Sequence, residues 1–438
     1  MYVYLCCITV EIKNFDILLK NDTAAHAAPQ SPRRTARRRY SGRTVCRCRK
    51  RLRLCSDGSE TVYRSALEIA RAMDFRAHRC DAVMQLGDLV DGKARSHYGR
   101  AANAVAAAIE ESLSTSTSAD TGQQDDGSPQ ESSTSTEANA KALERFDIVG
   151  NHELYCAPRS WWSRSFWLPP KQVAGHQEND AGDGQKQKVA QETAAAGQQD
   201  AGEQPDEAPN NPDSLYYSLV VAGGRWRLIV LDAYIESLYG YDDFVPTQDV
   251  SPESSSQQHP MVQRARAILA AENPQVLRGF DNPKGNFDYF EGVPLEQQRF
   301  CPYNGAFGAR QRAWLKAELD AARAAQQFAC IFSHIPVMAT EEHGGWRTLA
   351  WDTKEVLELL EPYAEDTLVA FYGGHRHRYA HMEKDGIQHV VLSSPMVQPE
   401  KGESAALLDF NDDGSILQTG FGMPSISVRN SRVDGNRR

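Results

Sequence analysis

Four short motifs, each following a run of β-prone apolar residues, constrain this chain more than any other feature. They are Gly87-Asp88-Leu89-Val90-Asp91, Gly150-Asn151-His152-Glu153, Ser333-His334-Ile335-Pro336 and Gly374-His375-Arg376-His377. A run of four to eight apolar residues that stops at Gly or a polar residue reads as a buried strand. Ala82 to Leu86, Phe146 to Val149, Phe328 to Phe332 and Thr367 to Tyr372 all have that form. Helical spacing appears between them: Val62, Ala66, Leu67, Ile69, Ala70 and Met73 share one face, and Ala309 to Ala325 carries Trp314, Leu315, Leu319 and Ala322 on one side. A hairpin is expected where Tyr216–Val221 and Trp226–Leu231 flank Ala222-Gly223-Gly224-Arg225. Thr353 to Tyr363 reads as a short helix and Ile387 to Leu392 as a strand; Ala405–Phe410 and Ser415–Thr419 form a second hairpin around Asn411-Asp412-Asp413-Gly414. Strand–loop–helix units early and hairpins late predict an α/β fold of two packed sheets with helices outside. Polar residues stand where strands end, where open α/β sheets bind ligands.

Each motif has an ordinary reading when taken alone. A Gly-Asp pair after a strand is commonly a turn, Asn-His in a loop is commonly structural or exposed, and a His before Ile-Pro can simply close a strand. The set in this order is what carries the inference. Two divalent cations about 3.5–4 Å apart need a shared anionic ligand and further ligands on each side. Asp88 has the position of a bridging carboxylate, with Gly87 allowing close approach. Asn151 offers a carbonyl oxygen, His334 and His375 offer imidazole nitrogens to the same ion, and His377 can reach the second. Mixed oxygen and nitrogen ligation suits Mn²⁺, Fe²⁺ or Zn²⁺.

Composition narrows the partners. The 438 residues carry a net charge of −10, yet residues 1–55 hold 13 Lys/Arg against 3 Asp/Glu, so the remainder carries −20. An acidic body argues against a nucleic-acid surface, which needs clustered basic side chains. No stretch approaches the ~20 apolar residues of a membrane span, so no membrane partner is expected. Nine scattered cysteines include no CxxC pair, and Cys46-Arg47-Cys48 with Cys55 lacks the further ligands of a zinc site. Reduced thiols in the cytoplasm fit this usage, although the Arg-rich run from Arg33 to Arg53 leaves organellar targeting open. Segments 112–140, 172–212 and 247–259, rich in Ser, Gln, Ala, Asp and Glu, read as disordered low-complexity insertions. We therefore expect an atypical basic segment at 1–60, one domain at 61–425 and a disordered tail at 426–438.

Taken together, the motifs resemble the calcineurin-like metallophosphoesterases, whose fold is a four-layer α/β/β/α sandwich. Within them, Met84 to Gly92, Gly150 to Tyr155, Leu231-Asp232-Ala233-Tyr234, Tyr303-Asn304-Gly305-Ala306-Phe307 with Trp314-Leu315, and Leu349-Ala350-Trp351 are similar to the manganese-dependent ADP-ribose/CDP-alcohol diphosphatases. The resemblance covers about residues 62 to 422 outside the insertions. It implies two divalent cations, Mn²⁺ first, with Asp88 bridging, Asn151, His334 and His375 on one ion, and His377 on the other. It implies His152 beside the scissile phosphate, stabilising charge or protonating the leaving group, while a metal-held hydroxide attacks phosphorus in line. Asp91 and Glu153 would orient ligands, and Asp91 stands where a purple acid phosphatase has Tyr. Substrate contacts would fall to Arg64, Tyr303, Asn304, Gly305 and Trp351, the last stacking on a base. Asp232 reads as strand-end support, and His343, His381 and His389 as structural or exposed.

The implied function is hydrolysis of the diphosphate bond in ADP-ribose or CDP-alcohols, with another phosphodiesterase of the same fold as the enzymatic alternative. One departure stands out. The family begins with a strand followed by Asp-x-His or Asp-x-Gln, which binds the metal that His377 also binds. No such motif precedes Asp88: Val3 to Val10 can imitate the strand, but Glu11-Ile12-Lys13 follows. We expect an incorrect start or a missed exon in the coding sequence. The rival is a true replacement that leaves one metal position short of ligands, and with it a non-catalytic nucleotide-binding protein.

Overall fold

The computed structural model describes residues 2–6, 82–88, 144–165, 215–241, 259–281, 288–339, 342–394 and 405–430. The apolar runs become two six-stranded sheets. The first has the order β12 (Ile426–Val428), β11 (Ile416–Phe421), β10 (Ala405–Phe410), β1 (Tyr2–Cys6), β2 (Ala82–Gln85), β3 (Glu144–Asp147). The second runs β4 (Tyr217–Val221), β5 (Trp226–Leu231), β6 (Phe328–Ser333), β7 (Leu368–Gly373), β9 (Ile387–Val391), β8 (Ala380–Lys384). Strands β1–β2–β3 are mutually parallel, as are β5–β6–β7–β9; antiparallel strands close the β12 edge of the first sheet and both edges of the second.

Strands β6 and β7 are buried along their whole length, as parallel strands covered on both faces must be. Period-two alternation sorts their side chains. Cys330, Phe332, Ala370 and Tyr372 join Met84, Ala406, Leu408 and Phe410 in the core between the sheets. Trp226 anchors that core, with its ring against Phe328 and Phe410 and its indole N–H donating to the Asn411 carbonyl at 2.9 Å. Ile229, Ile331 and Phe371 instead face α5 (Gly308–Ala324) and α6 (Thr353–Leu360) through Leu315, Leu319, Val356 and Leu360. The described residues thus form three layers of the expected sandwich, helices on sheet on sheet. Arg64, Asp91 and the helix expected at 62–73 lie outside the described residues, as do segments 112–140, 172–212 and 247–258.

Two expected boundaries change. Tyr2–Cys6, within the segment set apart as 1–60, forms β1 in the interior of the first sheet, antiparallel to β10 and parallel to β2 with Cys6 opposite Gln85. Ile426–Val428, read as tail, pairs antiparallel with β11. The first lies in the apolar run that could imitate a strand, the second is too short to be recognised alone, and both gain their place from neighbours. A third change matters for the site. Gly150-Asn151-His152-Glu153 is not plain loop; it opens a short helix, α1 (Asn151–Cys156), because Glu153 at the third helical position accepts the Gly150 N–H at 2.8 Å.

Candidate metal centre

Asp88, Asn151, His334 and His375 all follow the carboxyl ends of parallel strands, and the loops that carry them are tied together. The Asp88 N–H donates to Glu153 Oε2 at 2.9 Å, on the same oxygen that holds Gly150, and the His152 N–H donates to Asp88 Oδ1 at 3.1 Å. Gly374 N–H donates to the His334 carbonyl at 2.9 Å. Gly87 has a φ of +95°, and a Cβ there would lie within 3 Å of the His334 ring; a Cβ on Gly150 would meet Asp88 equally closely. The two motif glycines are therefore requirements of close approach. Asp88, His375 and His377 are themselves left-handed, at φ 59°, 60° and 63°. Such strain persists only where the surroundings impose it, and it clusters at functional sites.

Hydrogen bonds determine which ring nitrogens carry protons. His334 Nδ1 lies 2.7 Å from the Leu86 carbonyl, so Nδ1–H donates there and Nε2 keeps its lone pair. His375 Nε2 lies 2.8 Å from Asn304 Oδ1 and donates to it, leaving the lone pair on Nδ1. These two lone-pair nitrogens stand 3.1 Å apart. Asn151 Oδ1 is 3.2 Å and Asp88 Oδ2 3.5 Å from His334 Nε2. The ligand atoms of Asp88, His334 and His375 all lie within 4.8 Å of one another. Burial lowers the pKa of His334, and that of His375 well below its ordinary value, so neither ring is readily protonated. Burial pushes the Asp88 carboxyl up, but the histidines around it, His152 and His334 first, outweigh that and hold it well below the usual range. Four acceptors face one another with no donor among them, an arrangement that repels itself unless a cation sits between. The residues present fit a divalent metal ion of borderline character.

The second position is thinner. His377 Nε2 is 4.0 Å from Asp88 Oδ2, and His377 is half-buried at the rim. His152, also half-buried, stacks on Tyr155 with ring centroids 5.6 Å apart, and Tyr155 packs edge-on to Tyr239.

Several residues given to substrate have other tasks. Trp351 is 2% exposed and packs among Leu238, Leu269, Val276, Phe300 and Ala306, so it is core and no platform for a base. Asn304 is fully buried and holds His375. The Gly305 carbonyl accepts from Trp351 N–H at 2.9 Å, and a Cβ there would lie within 3 Å of the Ala233 and Glu236 carbonyls. Tyr303 is half-buried with its ring 5.9 Å from that of His375, the one member of this group among the described residues with partial exposure. His389 is buried, with neither ring nitrogen hydrogen-bonded.

The two tyrosines and the arginine behind the centre had no clear sequence signal, whereas Asp232 has the strand-end role expected of it. Tyr234 Oη donates to Asn151 Oδ1 at 3.3 Å and Asn151 Nδ2 donates to Tyr155 Oη at 3.1 Å, so two phenols clamp the amide with its oxygen toward the histidines. Asp232 accepts the Tyr234 N–H at 3.0 Å and forms a buried ion pair with Arg159, which fixes that tyrosine at the end of β5. Glu153, expected to orient ligands, does so through the spacing of a helix cap, three residues after Gly150.

Comparison with known proteins gives the same direction. No family model matches the chain. A manganese-dependent ADP-ribose/CDP-alcohol diphosphatase of Oryza sativa subsp. japonica is 27% identical over 192 residues, 44% of this chain and 51% of that protein. The chain thus spans about half the length of this relative. A protein of the same name from Danio rerio is 24% identical over 361 residues, 81% of this chain and 86% of the relative. Among solved structures, a dimetal phosphatase from Danio rerio superposes with a TM-score of 0.55 at 23% identity, covering 84% of this chain and 90% of that one. The chain has the metallophosphoesterase fold and is similar in sequence to these diphosphatases. No described helix is long and apolar enough to cross a membrane.

Proposed function

We propose that this protein is a metal-dependent hydrolase that cleaves the diphosphate bond of ADP-ribose or CDP-alcohols, adding water across the P–O–P link to give AMP or CMP and the phosphorylated partner. The observation that carries the reading is the acceptor-only cluster of Asp88, Asn151, His334 and His375. Two divalent ions, Mn²⁺ first, are the cofactor; when bound, they neutralise diphosphate charge and make water a usable nucleophile at neutral pH. Asn151, His334 and His375 would hold one ion, His377 would serve the other, and Asp88 would be shared by both. His152 takes its place at the rim, where its imidazole can stabilise charge on the scissile phosphate or protonate the leaving oxygen. Glu153 fixes the Asp88 and Gly150 backbones, and Asp91 is given the same kind of orienting role. Tyr303 and Arg64 remain the candidates for substrate contact. The buried thiols of Cys301 and Cys330, which form no disulfide, support a reducing, cytoplasmic setting.

A second reading has one observation in its favour. Strand β1 fills the sheet position beside β2, and after Cys6 the sequence continues Cys7-Ile8-Thr9-Val10, with no carboxylate before Glu11. A protein with a single metal, binding nucleotides without turnover, fits that pattern.

The test uses the full chain with Mn²⁺ and equal concentrations of ADP-ribose, CDP-choline and cAMP, with products separated by chromatography. We expect AMP from ADP-ribose or CMP from CDP-choline, and loss of both with Asp88→Asn. Turnover of cAMP alone would move the reading to another phosphodiesterase. No turnover, with at most one Mn²⁺ per chain, would support the second reading.

A further inference from the structure

We propose that Asn304 is a positioning residue that sets the tautomer of His375 and so keeps its Nδ1 lone pair available to a metal ion. The inference rests on the metal-centre reading for its purpose, and on geometry alone for its content.

A neutral imidazole has one N–H, and the partner of one nitrogen decides what the other can do. His375 has two competing partners. Nδ1 is 3.1 Å from His334 Nε2, a bare acceptor because His334 donates its own proton to the Leu86 carbonyl. With its proton on Nδ1, His375 would donate to His334, and the two rings would satisfy each other. The acceptor cluster would then close on itself. What opposes this is Asn304 Oδ1, 2.8 Å from Nε2 on the other side of the ring.

An asparagine can usually present either its oxygen or its amide nitrogen. Here it cannot. Asn304 Nδ2 donates to the Arg299 carbonyl at 2.8 Å and to the Arg347 carbonyl at 2.9 Å. Turning the amide over would set its oxygen against two carbonyl oxygens and bring an N–H toward His375. Both amide hydrogens are used, so Oδ1 faces the ring as an acceptor and the ring must donate from Nε2. The backbone allows no escape: the Asn304 N–H is held by the Cys301 carbonyl at 3.2 Å, and adjoining Gly305 lies against the Ala233 and Glu236 carbonyls. Residues 299 and 304 lie on one turn and residue 347 on another segment, and the two meet only in the fold. Their common product is one defined proton position, 71 residues further along the chain.

The experiment uses the full chain with ¹⁵N-labelled histidine, metal-free at neutral pH, and long-range proton–nitrogen correlation spectra, with His375 assigned by its absence in His375→Gln. The wild type is expected to show Nε2–H at His375; Nδ1–H there would overturn the proposal whatever the variants do. Asn304→Ala removes the acceptor and is expected to move the proton to Nδ1 and weaken Mn²⁺ binding about 10- to 100-fold. Asn304→Asp keeps an acceptor toward Nε2 while losing both donors, so it is expected to lower stability yet retain Nε2–H. A purely structural role would make the two variants alike, with an unchanged tautomer in both, and would sink the idea. Should the alanine variant not fold, loss of Nε2–H in Asn304→Asp overturns it and retention supports it. A wild type that shows Nε2–H but binds no Mn²⁺ leaves the tautomer assignment standing and removes the metal reading instead.

Discussion

Replacing Glu153 tests how the candidate centre is assembled. A single carboxylate oxygen, Oε2, accepts the backbone N–H groups of Asp88 and Gly150 at 2.9 and 2.8 Å, and Glu153 has no exposed surface. Glu153→Ala leaves two buried donors with no acceptor. At about 1–3 kcal/mol per unsatisfied buried group, the loss is about 2–6 kcal/mol, a large share of the roughly 5–15 kcal/mol that holds a domain together. Glu153→Gln keeps the shape and an acceptor oxygen but loses the charge. Hydrogen bonds to charged groups contribute about 1.5–3 kcal/mol against about 0.5–1.5 for neutral ones, so two such bonds weaken by about 2–3 kcal/mol in all. Urea denaturation of the metal-free protein, followed by tryptophan fluorescence, should rank wild type above Gln above Ala. The exposed Glu355→Ala, a surface change, should stay within about 0.5 kcal/mol. Mn²⁺ affinity should fall in the same order as stability, because the Asp88 backbone is then held only from its flanks. An alanine variant as stable as the Glu355 control would refute the reasoning.

Three further outcomes follow from the same geometry. Trp351→Phe should lower stability by about 1–3 kcal/mol with KM unchanged, since the ring fills a core; a tenfold rise in KM at unchanged stability would restore it as a base platform. Gly87→Ala combines a φ of +95° with a Cβ inside the His334 ring contact and should cost several times more than Gly223→Ala, whose φ is +64° but whose Cβ meets nothing within 4 Å; thermal unfolding of the two variants makes the comparison. His389 is lowered from 6.5 to about 4 by burial first and then by Lys384. The unfolded chain therefore binds the proton before the folded one does, so the contribution is intact above the unfolded value and is lost as pH falls from 6.5 toward 4. By linkage the loss is about 2 kcal/mol at about pH 5, and urea unfolding of His389→Leu should show a stability gap to wild type that shifts by that amount between about pH 7 and 5. A pH-independent gap would mean that His389 titrates normally.

Much of the architecture was legible because burial on both faces forces long apolar runs, and β6, β7 and the two hairpins lie within a residue or two of their expected ranges. β1 was legible only as an apolar run, Val3 to Val10, that could imitate a strand; its place in the sheet depends on β2 and β10 standing beside it. The clustering of candidate ligands was legible for another reason. Metal ligation demands particular atoms, and Asp, Asn and His at strand ends are among the few that supply them. The sequence by itself therefore determined which side chains can bind a cation and the order in which the chain delivers them. Only the tertiary structure decided what surrounds them: that Trp351 is core, that Tyr234 and Tyr155 hold Asn151, and that Asn304 faces His375. A side chain's chemistry belongs to the residue, whereas a contact belongs to a pair. The pairs that matter here are closed by the packing of two sheets and their loops, which no local pattern of residues specifies.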